Sequence, residues 1–327
     1  MENNKYTDDS WLQTNNWGRW GSNDEVGALN ELSAEDVLKA ISLIRKGKVY
    51  NLETTRFKGM PIWEGHASFE LLTYASSKGR RNMLTDPDYD ATVNWYGKDG
   101  WLDKQKFPYE TNANTEMMIC PLHMGTHIDG LCHVTAGIDS HWYNGFNEVT
   151  DWSDFGVLKT DASTIPPIIN RGILLDIAGY KGVDHVEPNY GVTMQDIMET
   201  AKWENIELQK NDTVLIRCGQ DWPGFKNCPG AGVTLEAARY LVEGTGAVLM
   251  GDDLVVFENT NADETMSYPG HAHPVHHYAL TQMGVHLIEC AQLDELAKDH
   301  VYEFCFMLAS SKIKGGTGMF TWPLAIC

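Results

Sequence analysis

The sequence predicts one α/β domain: a mixed β-sheet with flanking helices and long loop embellishments. Three observations carry that prediction. From residue 172 onward, short apolar runs alternate with helical patterns, the mark of βα units packed around a sheet. Apolar residues make up 43% and charged residues 21% of the 327, a globular balance that excludes a disordered or fibrous chain. Nothing resembles a linker, an internal repeat or a low-complexity tract that would divide the chain.

Taken in order, residues 1–32 are expected to form an irregular N-terminal arm, with Trp11, Trp17 and Trp20 set among Asn and Gly. The domain proper is expected over 33–327. Ser33 is placed to cap a helix with Val37, Leu38, Ile41 and Ile44 on one face, Arg45 and Lys46 in its last turn and Gly47 as its stop. Residues 48–56 read as a strand. Residues 57–115, rich in Gly, Pro, Asn, Asp and Tyr, show little periodicity and read as a lid or binding loop. The regular part then begins. Strands are expected at 173–177, 213–217, 247–250, 285–289 and 303–308. Between them Thr193 caps a helix carrying Ile197, Met198 and Ala201. Pro229 and Gly230 form a turn, and Thr234 caps a helix with Leu235, Ala238, Leu241 and Val242 on one face.

The formal net charge is -20, from 25 basic and 45 acidic residues, and no basic cluster stands against it. A nucleic-acid partner is therefore excluded on charge. No apolar run approaches the roughly 18 residues of a membrane helix, and the polar, acidic start has no signal-peptide pattern. No membrane partner and a cytoplasmic location are expected. Seven scattered cysteines without a C-x-x-C pair support neither a disulfide framework nor a structural zinc site.

The informative stretch is His123-Met-Gly-Thr-His127-Ile-Asp129-Gly-Leu-Cys-His133, or H-x-G-T-H-x-D-x-x-x-H. Three imidazoles and a carboxylate within so short a span are ligands suited to Zn²⁺ or Mn²⁺. A turn at Gly125-Thr126 folds His123 back, and an extended chain afterwards puts His127 and Asp129 on one face. A lone histidine is usually a surface or packed residue. The full pattern arises by chance on the order of once in a hundred thousand chains of this length or less. Cys132, inside the motif, reads as a small packed residue rather than a nucleophile.

A second cluster holds His271, His273, His276 and His277, with Glu289 ending the apolar strand that follows. A solvated loop is the competing reading for the histidines. Glu289 either meets a cation or emerges into solvent. Gly315-Gly-Thr-Gly318 lacks the Lys-Ser/Thr ending of a phosphate loop. Gly251-Asp252-Asp253 reads as a turn with solvated or capping carboxylates. No G-x-S-x-G elbow is present.

The motif resembles the signature of the cyclase family of metal-dependent hydrolases, which includes bacterial kynurenine formamidase, isatin hydrolase and trans-dienelactone hydrolase. The segments 17–30, Gly59-Met-Pro-Ile-Trp63, 171–176, 213–219 and Gly315-Gly-Thr-Gly318 are similar to familiar blocks of that family, in the expected order. The resemblance implies a swivelling β/β/α fold. It implies His123, His127 and Asp129 as metal ligands, His133 as the catalytic acid/base, and a downstream His and Glu completing a site for one or two ions. His277 stands twelve residues before Glu289, the family spacing, which selects it over His276. Asp129 and Glu289 are then expected to bridge, and Trp63 to stack on the substrate ring.

Two departures are visible. Met319-Phe-Thr-Trp322-Pro323 stands where many relatives carry an arginine segment, which argues against an anionic group on the substrate. The segment from Trp63 to His123 is also long, and Tyr74, Arg80, Arg81, Tyr89 and Trp95 are available to cover the site. The resulting expectation is a hydrolase that opens a cyclic amide or lactone, or cleaves an aryl formamide, with Mn²⁺ or Zn²⁺. Its partner is a small cyclic or aromatic substrate and its assembly a homodimer or homotetramer. The alternative is a non-catalytic metal- or ligand-binding protein on the same scaffold.

Overall fold

A computed structural model describes residues 13–63, 65–75, 114–260 and 273–327. Trp11, the side chain of Tyr74, Arg80, Arg81, Tyr89, Trp95 and His271 lie outside the described residues. The chain falls into two compact units: a large one comprising Met1–Arg56, Met60–Gly65 and Leu122–Cys327, and a small one comprising Phe57–Gly59 and His66–Pro121.

The large unit is built on a nine-stranded mixed sheet. Its strands are β1 (Val49–Asn51), β4 (His127–Asp129), β5 (Ile168–Asp176), β6 (Thr213–Arg217), β7 (Leu249–Asp252), β8 (His286–Glu289), β9 (Glu303–Leu308), β10 (Gly318–Phe320) and β11 (Leu324–Ile326). In space they run β1-β11-β9-β5-β6-β7-β8-β4-β10. The central four, β5 to β8, are parallel, and every other pairing is antiparallel. The parallel strands are apolar runs because both faces are covered: Val214, Leu215 and Ile216 of β6 are all buried.

Helices make the crossovers between the parallel strands. They are α2 (Met194–Trp203), α3 (Leu235–Arg239, continued in wider turns over Tyr240–Thr245) and α4 (Pro274–His276, continued over His277–Met283). Thr193 begins α2 with a capping box, its hydroxyl accepting from Asp196 N while the Asp196 carboxylate accepts from Thr193 N. Thr234 caps α3 through Ala237 N at 3.3 Å.

The first helix, α1 (Ala34–Ile41), starts at Ser33 as expected but stops short of Gly47. It also turns a different face inward. Ala40 is buried, whereas Leu38 is 69% and Ile41 45% exposed. Two turns carry too few residues for the longer apolar pattern to fix the orientation. Ahead of it, the arm is tied to the end of the helical segment after α4. Asn16 N donates to Gln282 O (2.9 Å), Trp17 Nε1 to Thr281 O (2.8 Å) and Ala28 N to Gly284 O (2.7 Å). At Gly27, with φ +69°, a Cβ would stand 2.1 Å from Gly284 O, so only glycine allows that approach.

The small unit holds an antiparallel hairpin, β2 (Glu70–Ala75) with β3 (Thr115–Ile119). The sequence reading expected irregular chain here. Leu71, Leu72, Met117, Met118 and Ile119 are all exposed, so these strands lack the in–out alternation by which a strand is recognised. Among the described residues no helix is long and apolar enough to cross a membrane. All seven cysteines are free thiols, six of them buried.

Candidate metal centre

The centre lies where the carboxyl ends of the parallel strands β7 and β8 meet the antiparallel strand β4, the crevice that open α/β sheets use for ligands. The Gly-Thr turn before β4 has a plain structural cause. Gly125 adopts φ +62°, and a Cβ there would press to 2.5 Å against Thr54 Oγ1. Thr126 N donates to Thr54 Oγ1 (2.7 Å), and the Thr126 hydroxyl donates to Cys290 O (2.7 Å) while accepting from Thr54 N (2.8 Å). The turn is thereby clamped between β1's extension and the end of β8.

Beyond it the strand alternates. Ile128 enters the apolar core, while His127 and Asp129 share the other face, as the sequence reading expects. The register pairs His127 directly with Glu289, which is how a residue so distant in sequence arrives at the motif. Glu289 is buried, not solvated. His127 Nδ1 donates to Gly125 O (2.8 Å), which turns Nε2 towards Asp129 Oδ1 (3.4 Å) and Glu289 Oε2 (3.3 Å). His123 Nδ1 stands 2.9 Å from Asp129 Oδ1, and its Nε2 is 3.0 Å from Thr317 Oγ1. The His133 ring stacks on that of His123 at 3.9 Å between centroids.

The downstream histidine is His276, not His277. His276 Nε2 lies 3.4 Å from Asp129 Oδ2 and 3.2 Å from Glu289 Oε1. Residues one apart on a helix differ by about 100° in direction, so both cannot face the centre. The segment that follows, His277–Met283, runs in wider turns than an α-helix. Behind His276 lies Glu258, which the sequence reading missed: its two oxygens accept from His276 Nδ1 and from His273 Nδ1, the latter at 2.8 Å. The only local signal was a carboxylate closing the apolar run 254–257. Trp63 is half-exposed, its ring edge-on to His273 at 6.4 Å.

Thr317 and Gly318 explain the glycine-rich block. A Cβ on Gly318 would stand 2.3 Å from His123 Cε1, so the imidazole rests on bare backbone. Gly130 N donates to Thr317 O (2.8 Å), joining the block to the motif. Asp252 and Asp253 are both buried rather than solvated. Asp253 accepts from the backbone N of Cys218, Gly219 and Gln220. Burial, with Glu289 and Asp253 close by, pushes the Asp252 carboxyl far above its usual range.

Electrostatics follow from crowding carboxylates and imidazoles out of water. Burial favours a neutral His127, yet Asp129 and Glu289 outweigh it and push its pKa up to about 10. His276 is raised likewise, against burial, by Glu258, Asp129 and Glu289. Burial raises the Glu289 carboxyl, but His127 and His276 overcome this and bring it down to about 2; Asp129 is also held well below the usual range. His133 behaves oppositely: burial pushes it down to about 3, so it stays neutral at pH 7.

The donor set fits a divalent cation. Ligand atoms of His127, Asp129 and Glu289 lie within 4.8 Å of one another, as do those of His123, Asp129 and His133. Asp129 belongs to both groups. Its Oδ2 is fully buried and is met by His276 Nε2 at 3.4 Å without a well-formed hydrogen bond. Imidazole and carboxylate ligands suit Zn²⁺ and Mn²⁺ alike.

A cavity of about 210 Å³ opens beside the centre, lined by Cys132, His133, Trp142, Glu148, Trp152 and Thr317, with Thr135 and Ser140. Cys132 is buried, its thiol pushed up to about 12 by burial and directed at Thr160 O, so it is packed rather than nucleophilic.

Fold and site together define an α/β protein with a buried imidazole–carboxylate centre at the sheet's carboxyl edge. The model of the Cyclase family, described as "Putative cyclase", matches residues 50–259, well over half of the chain. The chain belongs to the cyclase family. A solved structure described as a novel cyclase is similar over 97% of this chain and 99% of its own, with 24% identity and a TM-score of 0.79. Isatin hydrolase A from Labrenzia aggregata, solved with benzyl benzoate, is 18% identical over 90% of this chain and 98% of its own, at a TM-score of 0.56. Isatin hydrolase A from Ralstonia solanacearum is 17% identical over 90% and 97%, at 0.54. These likenesses extend the shared fold over nearly the whole chain. The search of curated proteins finds no match.

Proposed function

We propose that this protein is a metal-dependent hydrolase that opens a cyclic amide or a lactone, or cleaves an aryl formamide. One observation carries the reading: Asp129 is shared by two ligand groups, and one of them includes His133, which also lines a cavity. His123, His127, Asp129, His276 and Glu289 would hold one or two ions, Mn²⁺ or Zn²⁺. A bound divalent cation supplies an acidified water and polarisation of a carbonyl.

The chain's own residues do the rest. The cavity takes the substrate ring, with Trp152 as a stacking surface. His133 accepts the proton of the attacking water at a ring nitrogen and delivers it to the leaving nitrogen or oxygen. Thr317 holds the His123 ring on which His133 stacks. Glu148 on the cavity wall supports a neutral substrate over an anionic one.

The test is a metal analysis of protein purified without added metal, paired with hydrolysis assays on a cyclic amide, a lactone and an aryl formamide. Chelation should abolish turnover, and Mn²⁺ or Zn²⁺ should restore it. His133→Ala should lose turnover while keeping its metal; loss of both together would make His133 a ligand. Absence of metal-dependent hydrolysis across all three substrates would refute the proposal. The expected homodimer or homotetramer can be read by light scattering on the same samples.

A further inference from the structure

We propose that Glu258 is the positioning carboxylate of the centre, fixing the proton of His276 on Nδ1 so that Nε2 is left as a ligand, and that His273 supports Glu258 from outside. The inference rests on the metal-centre reading and adds two residues to it.

The geometry has an inner and an outer layer. Innermost, His276 Nε2 faces Asp129 and Glu289 at 3.4 Å and 3.2 Å. Its other nitrogen donates to Glu258 Oε2. An imidazole with a proton on Nδ1 presents its lone pair at Nε2, so the carboxylate selects which nitrogen can coordinate and which way the ring points. Glu258 is itself buried, with the side chain 1% exposed, and Phe257 beside it donates its backbone N–H to Glu289 Oε1 at 2.8 Å. A buried carboxylate needs both oxygens satisfied. The second oxygen is satisfied by His273 Nδ1 at 2.8 Å, whose side chain is 40% exposed. His273 thus holds Glu258, and Glu258 holds His276.

This arrangement also accounts for the cluster of histidines that sequence alone leaves without separate roles. His276 is the ligand, and His273 sits one carboxylate away from it. The conformation of segment 254–260, through Glu258, is therefore part of the metal site although it supplies no ligand.

The experiment compares full-length wild type with Glu258→Gln, Glu258→Asp and His273→Ala, measuring Zn²⁺ affinity by competition with a chromophoric chelator and Mn²⁺ stoichiometry by electron paramagnetic resonance. The amide of Glu258→Gln keeps the volume but offers only one oxygen to two N–H donors. Its affinity should fall about 10- to 100-fold for at least one ion. Glu258→Asp, which keeps two acceptor oxygens, should recover part of the loss, and His273→Ala should lose less than Glu258→Gln. Wild-type protein that binds metal alongside a Glu258→Gln variant of equal affinity overturns this inference and leaves the proposed function standing. Wild-type protein that binds no divalent cation overturns both. Should Glu258→Gln not fold, Glu258→Asp and His273→Ala binding as tightly as wild type would overturn it equally.

Discussion

Stripping the cation and raising the pH should unfold this protein far more easily than raising the pH of the loaded form. In the metal-free chain the imidazolium of His127 is held between Asp129 and Glu289, which lifts its pKa from an unfolded value near 6.5 to about 10. A raised pKa contributes stability that is complete below the unfolded value and is lost as pH climbs through the folded one. The window is therefore pH 6.5 to 10. At about 1.4 kcal/mol per pH unit for one proton, the full loss is on the order of 4–5 kcal/mol. His276, raised in the same direction, steepens the slope. In a metal-loaded protein both rings would coordinate as neutral ligands, and their share of the slope should vanish. Urea denaturation at half-unit pH steps, with chelator and with saturating Zn²⁺, measures this. His127→Gln in chelator should flatten the metal-free curve. A metal-free wild type whose stability is level from pH 6.5 to 9.5 would refute the reasoning.

Other outcomes follow from particular contacts. Gly318→Ala drives a methyl into the His123 ring, and because both ring nitrogens are engaged the ring must shift as a whole. Zn²⁺ affinity should drop roughly 10-fold or more, and stability by about 1–3 kcal/mol; isothermal titration and denaturation read the two effects. Thr126→Val leaves Thr54 N and Cys290 O without their hydroxyl partner, costing about 1–3 kcal/mol in urea denaturation. Glu148→Lys places a cation on the wall of the cavity. It should lower KM for a carboxylate-bearing cyclic amide relative to the neutral parent, and an unchanged ratio would remove Glu148 from the substrate's path.

The motif was legible because strand geometry is simple. A two-residue period decides that His127 and Asp129 share a face, and a glycine followed by threonine marks the turn. The parallel strands were legible as apolar runs, and the helix starts at Ser33, Thr193 and Thr234 as capping residues. Choosing between His276 and His277 required knowing which of two adjacent side chains the helix turns towards Asp129 and Glu289, a matter of docking that residue type does not record. Glu258 and Thr317 reach the centre by tertiary packing from distant segments, so no spacing links them to it. Of the two readings open for Asp252 and Asp253, solvated or capping, the structure gives Asp253 the capping one, with three amide hydrogens from the neighbouring loop, while the burial of Asp252 had no local signal. The face of α1 was misjudged because docking, not amphipathic pattern, orients so short a helix.

The strand that bears His127 and Asp129 is joined to its neighbours β8 and β10 by contacts spanning 157 residues of chain or more, as in the bond from His286 Nδ1 to Asp129 O. An ion gripped across that seam would be a late fastener, engaged once the sheet has closed and lost first when it opens. By mass action, each tenfold rise in free cation above its dissociation constant adds about 1.4 kcal/mol against opening. The number of intact molecules in a cell, and not just their catalytic competence, would then track the supply of the metal.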